Sequence, residues 1–95
     1  MTSHVVTPLA QSDLDGIWDH VAADSPTAAD RLLERFRETF AILARHPAMG
    51  QTRDELRPGL RSFSVRKYVV FFQFIEERLR VVRVIHGARD VANLL

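Results

Sequence analysis

A chain of 95 residues is long enough for one hydrophobic core and too short for two, so we expect a single domain over residues 1–95. It has no cysteine, which excludes disulfide bonds, thiolate metal sites and a cysteine nucleophile. The net charge of +1 combines −3 over residues 1–50 (four Arg, seven Asp and Glu) with +4 over residues 51–95 (nine Lys and Arg, five Asp and Glu), which indicates either an acidic partner or dispersed surface charge.

The N-terminal sequence MTSHVVTPLA has neither the basic segment nor the long apolar run of a secretion signal. No apolar stretch elsewhere is long enough to span a bilayer. These features predict a cytoplasmic protein without a membrane partner.

Two helices are predicted in the first half of the chain, after a short strand at residues 3–6. The Thr-Pro pair at residues 7–8 and the Ser-Pro pair at 25–26 each join an N-cap residue to a proline suited to the first helical position. Apolar residues then recur at helical spacing: Leu14, Ile17, Trp18 and Val21 in one helix, and Ala29, Leu32, Leu33, Phe36, Phe40 and Leu43 in the other. The His-Pro pair at 46–47 ends the second helix, and the two should form an antiparallel hairpin.

The second half of the chain reads as a loop followed by three strands. Residues 47–59 hold two prolines and two glycines without periodicity, which predicts the loop. The three strands are expected at residues 60–65, 68–75 and 79–85, the last two joined as a hairpin. A short apolar tail follows at residues 91–95. The order β-α-α-β-β-β predicts an α+β domain with the helical hairpin on one face of a small, mostly antiparallel sheet.

The strand YVVFFQFI, residues 68–75, is apolar on both faces. One face carries Tyr68, Val70, Phe72 and Phe74, and the other carries Val69, Phe71 and Ile75. Two helices can cover only one of these faces. The other must be covered by the 47–59 loop and the C-terminal tail, or by a partner chain; of the two we favour the partner.

Residues that could hold a metal or attack a substrate do not form a recognisable pattern. The four histidines lie on different predicted elements without metal-binding spacing, and neither a nucleophile elbow nor a phosphate-binding glycine loop is present. We therefore predict no metal and no cofactor. Three aspartates of the first helix are best explained as charges on its solvent side: Asp13, Asp15 and Asp19.

Basic residues are interleaved with aromatic ones along the predicted sheet. They are Arg61, Arg66, Lys67, Arg80 and Arg83. Such interleaving is typical of surfaces that contact phosphates and stack bases. Long arginine stems that cover apolar sheet edges would give the same pattern, and the sequence does not separate these interpretations.

The segment VVRVIHGARD, residues 81–90, ends the last strand. Regular alternation places Arg80, Val82, Val84 and His86 on one face, and Val81, Arg83 and Ile85 on the other. On this pattern Arg83 and His86 point in opposite directions and cannot share an acid–base site. His86 is then better explained as a histidine bonded to a nearby carboxylate such as Asp90 than as a general base.

Several short motifs in this order resemble one family. They are A-x-x-D-L-x-x-I (Ala10, Asp13, Leu14, Ile17), L-x-x-x-P-x-x-G (Leu43, Pro47, Gly50), L-R (Leu60, Arg61), Y-x-V-F-F (residues 68–72) and R-V-I-H-G-x-R-D (residues 83–90). Over nearly its whole length the chain resembles the ParE branch of the ParE/RelE superfamily, the toxins of type II toxin–antitoxin modules. The resemblance implies the β-α-α-β-β-β toxin fold, the same order that the elements predict.

The resemblance also implies partners. The C-terminal segment of a cognate antitoxin would wrap the toxin in a hetero-oligomer. The DNA-binding part of that antitoxin would carry the complex to operator DNA. ParE-like members act by binding DNA gyrase, whereas RelE-like members cleave ribosome-bound mRNA, often with a C-terminal tyrosine or histidine. The tail VANLL holds no tyrosine, and the HGxRD ending fits the ParE branch.

We therefore predict a toxin that inhibits DNA gyrase without catalysis of its own. The alternatives are a ribosome-dependent mRNA endonuclease, with Arg61, Arg83 and His86 as catalytic residues, and a degenerate toxin that acts only as a binding module. The candidates for contact with the target or the antitoxin are Arg61, Arg66, Tyr68, Arg83, His86 and Arg89. The residues assigned to the core or to an antitoxin groove are Leu14, Trp18, Leu32, Phe36, Phe40, Val70 and Phe72.

Overall fold

The computed structural model describes residues 3–87, 89 and 91–95. The elements in chain order are β1 (Ser3–Val6), α1 (Pro8–Ala22), α2 (Pro26–Arg45), a 3-10 turn (Pro47–Met49), β2 (Gln51–Thr52), β3 (Arg61–Val65), β4 (Tyr68–Ile75), β5 (Arg78–His86) and α3 (Val91–Leu94). The predicted helical hairpin and mostly antiparallel sheet are confirmed. Residues 47–59 were predicted as a plain loop, and this was wrong, because the segment contains the 3-10 turn and the two-residue strand β2.

Both long helices begin where the Thr-Pro and Ser-Pro pairs predict. The Thr7 side chain accepts a hydrogen bond from the Ala10 backbone N–H, and the Ser25 side chain accepts one from Ala28. Each bond satisfies a backbone donor that has no partner inside the helix. In the described part of the chain, no helix is both long and apolar enough to cross a membrane.

The five strands form one sheet in the order β1-β5-β4-β3-β2. β1 pairs with β5 in parallel, and the other three pairings are antiparallel. The β4–β5 hairpin turns through Glu76 and Glu77, whose φ angles are 52° and 62°. Two consecutive left-handed residues match the twist of the flanking strands, so the hairpin follows from the turn that the sequence predicts.

The helix-side core lies between the helical hairpin and one face of the sheet. Its fully or almost fully buried residues include Leu14, Phe36, Phe40, Val70 and Phe72, as predicted, and Leu32 packs against them half-buried. Trp18 was assigned to the core or to an antitoxin groove, and it does not belong to this core. It is half-buried at the helix pair, where its indole N–H donates to Asp30 at 2.9 Å. An indole that keeps this polar partner stays at the rim of a core.

The opposite face of the sheet carries a second core that the chain covers itself. Leu60, Phe71, Val82 and Ile85 are buried there, with Leu56 of the loop and three tail residues packed against them: Val91, Leu94 and Leu95. The preference for a partner chain over this face was therefore wrong, because the loop and tail supply the cover. The end of β4 stays open, with Phe74 37% and Ile75 47% exposed.

A β-bulge at Val82 interrupts the alternation of β5. Phe72 pairs with Val81 and Phe71 pairs with Arg83, so Val82 is the extra residue. Val82 consequently joins Ile85 on the tail side, and Val81 joins the helix-side core. The strict alternation predicted for residues 80–86 was wrong at these two valines and at Arg80. Arg80 pairs with Gln73, on the same face of β4 as Phe71, and so lies on the tail side.

Gly50 makes a close approach that a side chain would prevent. A Cβ at this position would overlap the Phe72 ring, 2.8 Å from Cε1, and would lie 3.3 Å from the Ser62 carbonyl oxygen. Phe72 is fully buried, so its ring cannot move away without disturbing the core. Gly50→Ala is therefore expected to lower the free energy of unfolding by about 1–3 kcal/mol, measured by urea denaturation.

Gly16 provides the matched control for that substitution. It lies inside α1, and a Cβ there would meet nothing within 4 Å. Gly16→Ala should raise the free energy of unfolding by about 0.5–1 kcal/mol through helix propensity. Equal effects of the two substitutions would contradict the packing described around Phe72.

Candidate functional site

A cleft opens where β1 stops pairing with β5. β1 follows β5 as far as Val81, and the Thr7 N–H donates to the Val81 carbonyl at 3.1 Å before the chain enters α1. Beyond that point no described strand pairs with β5 on this side, and α1 lies beside its edge. The cleft between them has a volume of about 430 Å³. Its lining residues are Asp13, Gly16, Ile17, His20, Tyr68, Arg83, Val84, Ile85, His86, Arg89 and Leu94.

Asp13 closes the inner end of the cleft by binding Arg83 with both oxygens. Arg83 Nε donates to Oδ2 at 2.8 Å and Nη2 donates to Oδ1 at 2.9 Å, while the Val84 backbone N–H also donates to Oδ2 at 3.0 Å. The two side chains are only 15% and 16% exposed. The hydrogen bond with Asp13 raises the pKa of Arg83, with a smaller Coulombic contribution, although burial lowers it.

This pair changes the roles expected for both residues. Asp13 was predicted on the solvent side of the first helix, and this was wrong. Its carboxylate accepts a hydrogen bond from the Val84 N–H, at the edge of β5 beyond the last residue that pairs with β1. Arg83 was a candidate for contact with the target, but its guanidinium forms hydrogen bonds within the protein. Its Nη1 donates to the Leu94 carbonyl, so the pair also holds the tail. Arg83 thus links α1, β5 and the tail at the cleft.

An aromatic and imidazole cluster occupies the outer end of the cleft. Tyr68 of β4 pairs with His86 of β5, and their rings meet edge to face with centroids 5.5 Å apart. Tyr68 also contacts Phe36 of the helix-side core at 5.8 Å. His20 of α1 lines the cleft and, with Tyr68 and His86, also lines a neighbouring cleft of about 560 Å³. The three side chains therefore stand between the two clefts.

Three exposed cations surround this cluster, and we call them the basic rim: Arg66, Lys67 and Arg89. Arg66 and Lys67 form the β3–β4 turn and line the neighbouring cleft, and Arg66 has a φ of 54°. The Lys67 carbonyl accepts from the Gly87 N–H at 2.8 Å, which ties this turn to the end of β5. No carboxylate of the described residues lies within ion-pair distance of the rim cations.

Arg61 lies apart from the cleft. It pairs with Phe72 of the helix-side core, and its Nη1 donates to the Gly50 carbonyl at 2.9 Å. Arg83 pairs with Phe71, which belongs to the opposite core. Cross-strand partners project from the same face, so Arg61 and Arg83 lie on opposite faces of the sheet. The structure does not bring the three residues of the endonuclease hypothesis together.

His86 lies on the helix side with its partner Tyr68, and Arg83 lies on the tail side, as strand alternation predicts. Both reach the cleft because it opens at the strand edge rather than on one face. The bond expected between His86 and Asp90 involves a residue outside the described part of the chain. Among the described residues, no three acidic, histidine or cysteine side chains are grouped to hold a metal ion.

Sequence reasoning did not place two residues of the cleft, Asp13 and His20, in any candidate site. Together with Gly16 and Ile17 they have the spacing i, i+3, i+4, i+7, which places all four on one face of α1. That face was assigned by its apolar members alone. A search for polar residues at the same spacing would have identified both.

Comparisons with known proteins agree on one family. Residues 5–91 match the family model described as the ParE toxin of type II toxin–antitoxin systems, parDE. The chain is 32% identical over 84 residues to Toxin ParE3 of Caulobacter vibrioides, covering 87% of this chain and 84% of that protein. It is 31% identical over 90 residues to Toxin ParE1 of Mycobacterium tuberculosis, covering 93% and 92%.

A solved structure shares the fold. It is described as the chromosomal ParDE toxin–antitoxin system from P. aeruginosa, and one of its chains superposes with a TM-score of 0.74 at 24% identity. The match covers 90% of this chain and 95% of that one. The helical pair and five-stranded sheet described above are therefore an arrangement already known in a solved protein.

Proposed function

The chain belongs to the ParE toxin family of type II toxin–antitoxin systems, and we propose that a cognate antitoxin holds it inactive and that the free toxin inhibits DNA gyrase by binding. The family match over residues 5–91 carries this proposal. Inhibition by binding needs an exposed contact surface but no catalytic group. The basic rim and the cleft beside it offer such a surface, with Tyr68 and His86 between the cations.

Binding rather than catalysis is supported by the state of Arg83. Cleavage of RNA requires a base for the 2′-hydroxyl and a cation free to stabilise the phosphorane. Arg83 is engaged by Asp13 and by the Leu94 carbonyl, and Arg61 lies on the other face of the sheet. The observations therefore favour no catalytic role for the chain.

The antitoxin is proposed as a protein partner in a hetero-oligomer, and operator DNA is reached only through it. The related solved structure is described as a toxin–antitoxin system. Several large apolar side chains are exposed, and contact with an antitoxin would remove them from water. They are Val5, Leu9, Phe74 and Ile75. Gyrase as the target implies that the toxin works in the cytoplasm.

Expression of the chain in a bacterial host tests the proposal. Without the antitoxin from the neighbouring reading frame, growth should stop and plasmid DNA should lose negative supercoiling, while labelled amino acids continue to enter protein. Co-expression of the antitoxin should restore growth. Early arrest of translation with cut messages would instead identify an endonuclease, and unimpaired growth would identify a degenerate binding module.

A further inference from the structure

A third cleft lies between the first half of α2, the end of α1 and the β3–β4 turn. It has a volume of about 350 Å³, and three of its six described lining residues are arginines. We call these three the arginine cluster: Arg31, Arg35 and Arg66. Arg31 and Arg35 are one turn apart on α2, so they project from the same face of the helix.

The charge of the arginine cluster is not neutralised by the described part of the chain. All three side chains are exposed, and no described carboxylate lies within ion-pair distance of any of them. No acidic residue is among the described lining of this cleft. Two carboxylates of α2 are bound elsewhere, since Asp30 accepts from the Trp18 indole and Glu34 pairs with Arg37. An anion that enters the cleft would therefore meet three cations together.

The fold gives other arginines a structural role that the cluster lacks. Arg61 and Arg83 each donate to a backbone carbonyl. No hydrogen bond joins the guanidinium of a cluster arginine to another described residue. Arg66 has a φ of 54°, a left-handed conformation that favours glycine or asparagine, so the turn itself does not account for an arginine. The cluster is thus available to a partner.

The surroundings of the cluster favour a polyanion over an acidic protein segment. Protein partners gain much of their affinity by burying large apolar side chains, whereas Val21 and Leu32 of this cleft are already half-buried. None of the large apolar side chains that the described residues expose lines the cleft. They are Val5, Leu9, Ile42, Met49, Phe74 and Ile75. Contact with a nucleic-acid backbone needs cations and no apolar anchor.

We propose that the arginine cluster binds the phosphate backbone of duplex DNA. A guanidinium matches two phosphate oxygens with parallel hydrogen bonds, and its charge persists at any physiological pH. Backbone contacts carry no sequence information, so operator recognition remains with the antitoxin. Arg66 also belongs to the basic rim, so bound DNA would lie beside the surface proposed for gyrase. The choice of DNA as the nucleic acid rests on the proposed function, whereas the phosphate contact does not.

The dependence of binding on salt tests the proposal. Fluorescence anisotropy of two labelled DNA duplexes of unrelated sequence is measured with the full-length chain over a series of salt concentrations. Both duplexes should bind equally. The logarithm of the association constant should fall with the logarithm of salt concentration, with a slope of about −2.7 or steeper, since each bound phosphate contributes about −0.9.

The double variant Arg31→Gln/Arg35→Gln removes two of the three charges and keeps good helix propensity. It should reduce the magnitude of that slope by about 1.8 and weaken binding at low salt about tenfold or more. The matched control, Arg78→Gln/Arg80→Gln, removes the same charge from exposed positions of β5 outside the cleft. It should bind both duplexes as the parent chain does.

Several outcomes would overturn the proposal. Equal weakening by the two double variants would assign the binding to overall charge, and an unchanged slope in Arg31→Gln/Arg35→Gln would assign it to another surface. Tighter binding of an RNA duplex of the same sequence would assign the cluster to RNA. Binding of poly-L-glutamate in place of the duplexes would assign it to an acidic protein. Gyrase is absent from these measurements, so this proposal and gyrase inhibition can fail separately.

Discussion

Replacing Arg83 with alanine is expected to lower the free energy of unfolding by about 2–4 kcal/mol. The substitution leaves the Asp13 carboxylate, 15% exposed, without its cation, and it removes the hydrogen bond that holds the Leu94 carbonyl. Charges that remain buried without a partner are costly to a small domain. Urea denaturation followed by the fluorescence of the single tryptophan, Trp18, measures the loss.

A double-mutant cycle separates the ion pair from the general effect of truncation. Asp13→Ala should also destabilise the fold, because the Val84 N–H loses its acceptor. The double variant should lose less than the sum of the single losses, since neither charge is then left alone. Arg80→Ala, on the same strand but exposed, should change stability by no more than about 0.5 kcal/mol. An Arg83→Ala variant as stable as Arg80→Ala would show that the pair contributes nothing.

Reversing two charges of the basic rim is expected to weaken gyrase inhibition about tenfold or more. The double variant Arg66→Glu/Lys67→Glu places negative charges on the surface that we propose for contact with gyrase. Both residues are exposed in the β3–β4 turn, so the fold should tolerate the change. The concentration of toxin that halves supercoiling by purified gyrase is the quantity to compare.

The control for this variant carries the same change in net charge at the far end of the sheet. Arg78 and Arg80 are exposed on β5, beside the β4–β5 turn. Arg78→Glu/Arg80→Glu should inhibit gyrase nearly as well as the parent chain. A loss of similar size in both variants would mean that overall charge, and not the rim, governs the interaction.

The helices and the hairpin could be predicted because local chemistry decides them. The N-caps Thr7 and Ser25 satisfy backbone donors three residues ahead, and two left-handed residues at 76–77 close the hairpin. Such signals act within one turn of chain. For the same reason, the apolar faces of both helices could be predicted from residue spacing. Trp18 is the exception, because its indole N–H donates to Asp30 on the other helix of the hairpin.

The cleft could not be predicted because it depends on where strands stop. β1 is too short to pair with all of β5, and the Val84 backbone N–H, which has no strand partner on that side, donates to Asp13, 71 residues away in the chain. The bulge at Val82 lies opposite Phe71 and Phe72, where no glycine or proline marks it. Long-range pairing of this kind leaves little trace in a single sequence. The family motifs nevertheless contain both Asp13 and Arg83.

The most direct test of the central claim is a supercoiling reaction with purified gyrase and the purified chain. We predict that the toxin blocks the supercoiling of relaxed plasmid, that equimolar cognate antitoxin restores it, and that the same toxin leaves ribosome-bound message intact. Undiminished supercoiling with toxin in excess over gyrase, together with cleavage of that message, would contradict the account.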